Sequence, residues 1–598
     1  MKHTMIDLIT NGTPPALIFI LGAILIPFFK GKLKSAYMLL LPLIAMAVLL
    51  SVPEGEYWHV GFLDYQLIFG RVDKLSRVFG YIFVLISFIS TIYALNVKDD
   101  LQYVAGFCYA GGALGVTFAG DFFTLYIFWE IMAVASTFLI LARRTSQSQK
   151  AAFRYILFHI VGGLFLLAGI IIQITKTGQI TFGFMELQGI GAWLIFLGVA
   201  VNAAVPPLHP WLKDAYPEAT IAGAVFLSAF TTKSAVYVMI RIFPGAEVLI
   251  WIGAFMTIYP IFFAEIENDM RRVLSYSLMN QVGFMLCGVG IGTQLALNGT
   301  VSHAFAHILY KALLFMSVGS VMHVTGKSKA TDLGGMYKTM PLTCIFCLVG
   351  ALSISAFPLT SGFISKSMII SASGHEQFFI IWLILQFASA GVIAHAGIKV
   401  PFFTFFGHDS GRRAHEPPAN MMIAMGIAAF LCIFIGVCPQ FLYNILPYSV
   451  DYVPYTGAHV VGQLQLLMFA VLAFYFLLKS GRYPAELRAI NIDTDWFYRK
   501  PLTVLVNLMG KFLNGLNATM DLILVQKFTG SVNAFAKHAT ASTICFFLSF
   551  SPKKNETKDT SNTSASSRLE TAFATGTTPI GIFAACAGLM IVVLYLLV

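Results

Sequence analysis

Residues 301–319 read V-S-H-A-F-A-H-I-L-Y-K-A-L-L-F-M-S-V-G, an apolar run of helical length interrupted by His303, His307 and Lys311. Spacing of i, i+4 and i+8 places the three side chains on one slowly drifting helix face, spread over about 12 Å. An ionisable group inside a membrane span costs roughly 2.5 kcal/mol or more, so three on one face require water, partners or both. Two imidazoles that pass protons, followed by an amine that stores one, describe a proton path. The plainer reading has both histidines bonded to neighbouring helices and Lys311 snorkelling to the interface. Apolar residues on both sides of Lys311 argue against it.

The rest of the chain sets this stretch in a membrane. It is 58% hydrophobic and 11% charged, and apolar runs of spanning length recur from end to end, which predicts an all-α polytopic membrane protein with about 15–16 transmembrane helices. A β-barrel would need short alternating strands instead. The net charge of +10 sits largely in short basic loops such as KGKLK (30–34) and RRTSQSQK (143–150). The positive-inside rule accounts for these loops without a nucleic-acid partner, and puts the end of the first span in the cytoplasm and the N-terminus outside. The expectation is a multi-pass protein of the cytoplasmic membrane, in contact with the bilayer. No cleavable signal is expected, since the segment before Pro14 is polar. Cys344 and Cys347 form a C-x-x-C inside an apolar helix with no second ligand pair, so no metal site is expected. The chain shows no dinucleotide-binding glycines, P-loop or cluster-binding cysteines, so no cofactor is expected either.

Spans are predicted near 14–29, 36–52, 77–96, 102–119, 121–142 and 152–175, with an external loop holding Glu54, Glu56, Asp64 and Arg71. Glu130, in F-W-E-I-M, falls near mid-membrane and must pair, meet water or hold its proton. The stretch V-P-P-L-H-P-W-L-K-D-A-Y-P-E-A-T (205–220) carries four prolines and cannot be one continuous helix. Lys213 and Asp214 read as interfacial charges, whereas Lys233 lies deep in the next apolar run. A second interruption, S-A-F-P-L-T-S-G-F-I-S-K (355–366), has Pro358 and Gly362 as breakers and ends on Lys366. Each half thus pairs an intramembrane ionisable helix (Glu130, then Lys311) with a broken helix carrying a lysine (Lys233, then Lys366). Paired interruptions point to inverted repeats with the working site at the midplane. His395 and Lys399 extend the path. The organisation read this way is N-terminal spans over 1–100, a first repeat over 101–270, a second over 271–410 and additional spans over 411–480. Beyond these come a charged loop and surface (lateral) helix over 481–550, a disordered linker over 551–577 and a terminal transmembrane helix over 578–598.

F-W-E-I-M, P-P-L-H-P-W-L-K-D-A-Y-P-E-A, H-A-F-A-H-I-L-Y-K-A-L-L-F-M-S-V-G-S, D-L-G-G-M and F-P-L-T-S-G-F-I-S-K, in that order, resemble the antiporter-like membrane subunits shared by Mrp-type Na⁺/H⁺ antiporters and respiratory complex I. The likeness covers roughly residues 70–410, with the Mrp D-type subunit as the nearest relative. It implies that Glu130 is the family's glutamate, Lys233 its broken-helix lysine, Lys311 the central lysine, His303 and His307 the relay histidines, and Lys366 the lysine after the second break. There are departures. Arginine stands at 271 and 272 where the pumping subunits often carry a lysine, and His159 and Gly163 occupy a helix that can bear an acidic residue in complex I.

The function implied is translocation of H⁺, with Na⁺ as the returning ion, by one subunit of a multisubunit cation/proton antiporter whose partners are other integral membrane subunits. In that scheme Glu130 holds Lys233 charged until it is drawn away. The alternatives are a proton-pumping subunit of an NADH-quinone oxidoreductase or membrane-bound hydrogenase, in which the chain would be a translocase part of an enzyme, and the membrane subunit of an inorganic-carbon uptake complex.

Overall fold

The computed structural model describes residues 13–484, 486–488, 491–535, 546 and 587–591. The expected linker over 551–577 lies outside them, as does all but 587–591 of the expected terminal helix. The chain divides into two units after Asp493.

The first unit opens with α1 (Pro15–Leu25) and α2 (Gly31–Ser51). The expected external loop is instead an antiparallel hairpin, β1 (Gly55–Phe62) and β2 (Tyr65–Val72), with Glu56 opposite Arg71. Its sequence lacks a clean apolar/polar alternation because most of β1 is exposed on both faces. Asp121 ties the hairpin to the bundle: its carboxylate accepts from the backbone N–H of Ile68 at 2.7 Å and caps the following helix through Thr124 N at 2.8 Å. α3 (Lys74–Ala94) starts on a capping box between Asp73 and Ser76.

Two runs of similar helix order follow. The first comprises α4 (Asp100–Phe118), α5 (Phe122–Leu141), α6 (Ser146–Thr177), the broken pair α7 (Gly189–Asn202) and α8 (Pro210–Ala215), and a second broken pair, α9 (Ile221–Ala229) and α10 (Thr231–Ile242). The next run comprises α11 (Glu247–Ile266), α12 (Met270–Ile291), α13 (Gln294–Thr325), the broken pair α14 (Pro341–Ile354) and α15 (Ser361–His375), and α16 (Phe379–Val392), which continues through π-helical turns at Ile393–Lys399 and Phe402–Phe406. Each run makes five crossings. An odd number of crossings starts the second run from the opposite membrane face, so the two are inverted. α17 (Ala419–Val437) and α18 (Gly457–Lys479) complete the unit.

Among the described residues eleven helices are long and apolar enough to cross a membrane, and three shorter apolar ones accompany them at Pro15–Phe28, Gly189–Asn202 and Pro341–Ile354. The last two are short because each ends at a proline-bearing break, and a sequence tally counts such interrupted segments as full spans. α13 is the hub. It is buried from Ala296 through Val321 and packs against α3, α9, α12, α14, α15 and α17. Lipid-length helices around it expose leucines, isoleucines and phenylalanines outward.

In the second unit, α19 (Thr503–Met520) continues through π-helical turns at Asp521–Phe528. Its apolar residues are exposed along its length, and Arg499 pairs with Asp495 at 2.8 Å just ahead of it.

Candidate functional site

His303, His307 and Lys311 lie on one face of α13 and none is exposed to solvent. Their neighbours arrive from four elements. α12 supplies Gln281, whose Oε1 lies 3.1 Å from His303 Nε2 and also accepts the Tyr310 hydroxyl at 3.1 Å. Asn280, next to it, accepts from Gln281 Nε2 at 2.5 Å and donates to the Thr257 carbonyl of α11. α15 supplies the Ser365 hydroxyl, 3.2 Å from His303 Nδ1. Gln281 Oε1 only accepts and so keeps a proton on Nε2, while the hydroxyl donates or accepts as required, so His303 gains or loses a proton at Nδ1 without losing either contact. The rings of His303 and His307 are 6.2 Å apart, and Tyr310 stands edge-on to His307 at 5.3 Å.

The lysines bracket this pair. Lys366 donates to the Ile354 carbonyl at 2.9 Å and lies 5.1 Å from the Phe284 ring centre. Lys233 donates to the Ser228 carbonyl at 2.5 Å. Both amines therefore hold carbonyls beside helix breaks, where the intrahelical ladder stops. Lys311 Nζ and both His307 nitrogens have no hydrogen-bond partner among the described residues. A buried amine without an acceptor keeps its charge only when water reaches it. Lys233, Lys366, His395 and Lys399 are buried in the same bundle as His303, His307 and Lys311.

His395 and Lys399 lie on the π-helical turns that follow α16 and are fully buried. π-turns free backbone groups and recur at working sites. Lys399 pairs with Glu486 at 2.9 Å and donates to the Ala264 carbonyl at 3.2 Å.

Glu130 is not drawn into this run. It is half-buried on α5, lining an apolar groove of about 470 Å³ with Leu101, Val104 and Phe138. Its carboxylate fits against Gly163 of α6, where a Cβ would collide with Oε1. It forms no ion pair with Lys233, which is satisfied at Ser228 instead. The expected Glu130–Lys233 pair is therefore not made.

The first break differs from its sequence reading in two ways. Lys233 follows not the prolines but a separate, proline-free interruption at Phe230, held by Tyr109, whose hydroxyl accepts from Thr231 N at 2.9 Å. Lys213 and Asp214 are not simple interfacial charges either. Asp214 takes Arg154 at 3.0 Å and Lys213 takes Asp493 at 3.0 Å, both in shielded positions. Arg271, 1% exposed, reaches the carbonyls of Tyr216, Pro217, Ala219 and Thr220 at 2.8–3.2 Å, along the turn that leads out of the break. Sequence reasoning missed Gln281, Ser365, Asn202 (2.7 Å from His159 Nδ1) and Asp493. An adjacent Asn-Gln in an apolar span was the one available signal, at 280–281.

Residues 119–393 match the NADH:quinone oxidoreductase/Mrp antiporter transmembrane family. NADH-quinone oxidoreductase subunit N of Desulforudis audaxviator is 27% identical over 479 residues, covering 71% of this chain and 94% of the relative. Na⁺/H⁺ antiporter subunit A1 of Staphylococcus aureus is 26% identical over 487 residues, covering 72% of this chain but only 61% of that protein. Among solved structures, the Mrp complex of a Dietzia species aligns with a TM-score of 0.69 at 21% identity, over 93% of this chain and 63% of its counterpart. The archaeal membrane-bound sulfane sulfur reductase aligns at 0.68 and 21% identity, over 90% and 99%. At that identity the structures speak for the fold alone. Fold, motif order and sequence match agree on the same stretch: residues 119–393 are similar to the transmembrane domain of the NADH:quinone oxidoreductase/Mrp antiporter family.

Proposed function

We propose that the chain translocates protons as one subunit of a multisubunit cation/proton antiporter in the cytoplasmic membrane, with Na⁺ as the counter-ion and other integral membrane subunits as partners. The observation that carries this is the set of buried bases Lys233, His307, Lys311, His395 and Lys399, with His303 and Lys366 beside it, in the interior of the bundle. A fold gains nothing in stability from five such groups in its interior, and each costs several kcal/mol unless it works. Protons move stepwise: a charge arriving at one base repels the proton on the next, and His303, with a reversible hydroxyl partner at Ser365, passes protons between Lys366 and His307. The helix breaks beside Lys233 and Lys366 supply carbonyls that hold each amine when it is charged. Glu130, with one oxygen unpartnered, is the carboxylate that modulates the first half.

The test is proton movement by the purified complex in sealed vesicles, with Lys233→Ala and Lys311→Ala as probes. Wild-type rates in both variants of an intact complex would sink the relay.

A second reading, a pumping subunit of a redox-driven NADH-quinone oxidoreductase, is favoured by one observation: the match spans 94% of the subunit N relative against 61% of the antiporter relative. Copurification with flavin or iron–sulfur subunits would select it; proton movement coupled to Na⁺ without any electron donor would select antiport.

A further inference from the structure

The segment that follows α18 is stapled across the bundle. Tyr483 donates to Glu265 Oε2 at 2.9 Å, Glu486 pairs with Lys399 at 2.9 Å, and Arg488 reaches Asp332 at 2.6 Å. It ends at Asp493, whose side chain is completely buried. Oδ2 receives the Tyr276 hydroxyl at 2.7 Å and lies 3.0 Å from Lys213 Nζ and 3.2 Å from His209 Nε2, while Oδ1 receives the Tyr259 hydroxyl. His209 and Lys213 belong to the break between α7 and α9. The break lies beside the basic loop at 143–150, because Arg143 donates to the Pro217 carbonyl at 2.7 Å, and so it opens on the cytoplasmic face. Lys399 is the last base of the buried run. One strap thus closes both the mouth of the first break and the end of the run. A buried charge with these four donors among its described partners is expensive to assemble and costly to break, which suits a closure.

We propose that the anchored residues Tyr483, Glu486, Arg488 and Asp493 hold a strap that shuts this face of the bundle to protons, with Asp493 as the positioning residue that locks it over His209 and Lys213. The inference rests on the translocation reading, but its test does not require driven transport. The complex, reconstituted in sealed vesicles with a pH-sensitive dye inside, is given an imposed proton gradient and no driving ion or electron donor. Asp493→Asn should raise the passive proton leak about tenfold, the scale set by losing charge-assisted hydrogen bonds, and Asp493→Glu should bring it back toward wild type. Amide hydrogen exchange of the same complexes should quicken about tenfold over 205–220 and stay unchanged over 361–375. Faster exchange with a wild-type leak would make Asp493 a structural anchor only and overturn the proposal, as would no change in either. Should Asp493→Asn fail to assemble, Glu486→Gln releases the second staple and must show the same leak. A wild-type complex that moves no protons when driven defeats the translocation reading but leaves the leak comparison decisive for the strap.

Discussion

Ala204 and Ala356 occupy the same place in the two proline-bearing breaks. Both are left-handed, at φ 57° and 56°. Each bonds back to the third residue before it, Ala204 N to Val201 O and Ala356 N to Ser353 O. The next residue in each case closes a wider turn, Val205 N to Ala200 O and Phe357 N to Leu352 O, and a proline follows. One helix-ending device is therefore used twice. This correspondence, with the repeated helix order, aligns α7 and α8 with α14 and α15, and α9 and α10 with α16. Lys366 then corresponds to the Lys213–Asp214 region, and Lys233 corresponds to Lys399, since each of these two follows an interruption free of proline.

The left-handed conformation costs a residue with a Cβ about 1–2 kcal/mol, and a β-branched side chain more. Ala204→Val and Ala356→Val should each destabilise the solubilised protein by about 2 kcal/mol or more, read as a lowered midpoint in thermal unfolding. Val199→Ala, a right-handed helical position at the same depth, serves as the control for ordinary packing loss.

Arg271 faces the same logic from the carbonyl side. Its planar guanidinium satisfies four carbonyls of the first break at once. A lysine, with one nitrogen, cannot span them. Pro217 O keeps Arg143 and Thr220 O keeps the Ala224 N–H, so Arg271→Lys should cost about 1–3 kcal/mol, chiefly from the Ala219 carbonyl, and amide exchange over 216–220 should rise. Unchanged exchange there would remove the clasp from the account.

Much of this was legible. The spacing of His303, His307 and Lys311 put them on one buried face, and the prolines at 206, 207 and 358 marked two real breaks. The break at Phe230 was not legible, because it is imposed by Tyr109 from α4, and no local sequence signal accompanies it. The same holds for Asp493. Four of its described partners, Tyr276, Tyr259, His209 and Lys213, lie between 217 and 284 residues away along the chain. The hairpin at 55–72 was hidden because neither of its strands alternates. Glu130 shows the converse error: a carboxylate and an amine at similar depth were joined on paper, but the fold keeps them on different contacts.

Lys311 Nζ has no acceptor among the described residues, so under the proposed relay its part would rest on its charge and not on a contact. Lys311→Ala and Lys311→Met should both reduce proton movement by about a hundredfold or more, the lower range for loss of a proton-transfer group, while Lys311→Met, which fills the same space, leaves the thermal midpoint at or above wild type. Replacing an unpaired buried cation with an apolar group removes a desolvation cost. A large loss of stability alongside lost transport would mean that the amine is structural.

Asp493 lies outside the spans and carries a sign that can be worked out. Burial alone would push its carboxyl up, but His209, Lys213 and Tyr259 overcome this and hold it well below the usual carboxylate range. A depressed carboxyl contributes stability that is present above its unfolded value, about 3.9, and is lost as pH falls through the folded one. Closure of the strap should therefore be constant from about pH 6 upward to neutrality, and weaken only in strong acid below about pH 4. Exchange over 205–220 followed against pH checks this. Loosening between about pH 5 and 7 would assign the closure to a histidine instead.

Gly163 and Glu130 supply a paired test. The carboxylate occupies the space that a methyl group at 163 would need, so Gly163→Ala must displace it without removing its charge. Glu130→Gln removes the charge and keeps the shape. If the position of a negative charge on α5 modulates the first half, both variants should slow proton movement in vesicles, Glu130→Gln by about tenfold or more and Gly163→Ala by less. The double variant should be no worse than Glu130→Gln alone, because the two act through one group. Additive losses would separate Gly163 from Glu130 and make the glycine a matter of helix packing between α5 and α6. A wild-type rate for Glu130→Gln would take the glutamate out of the mechanism and leave the lysines and histidines of the central run to carry it.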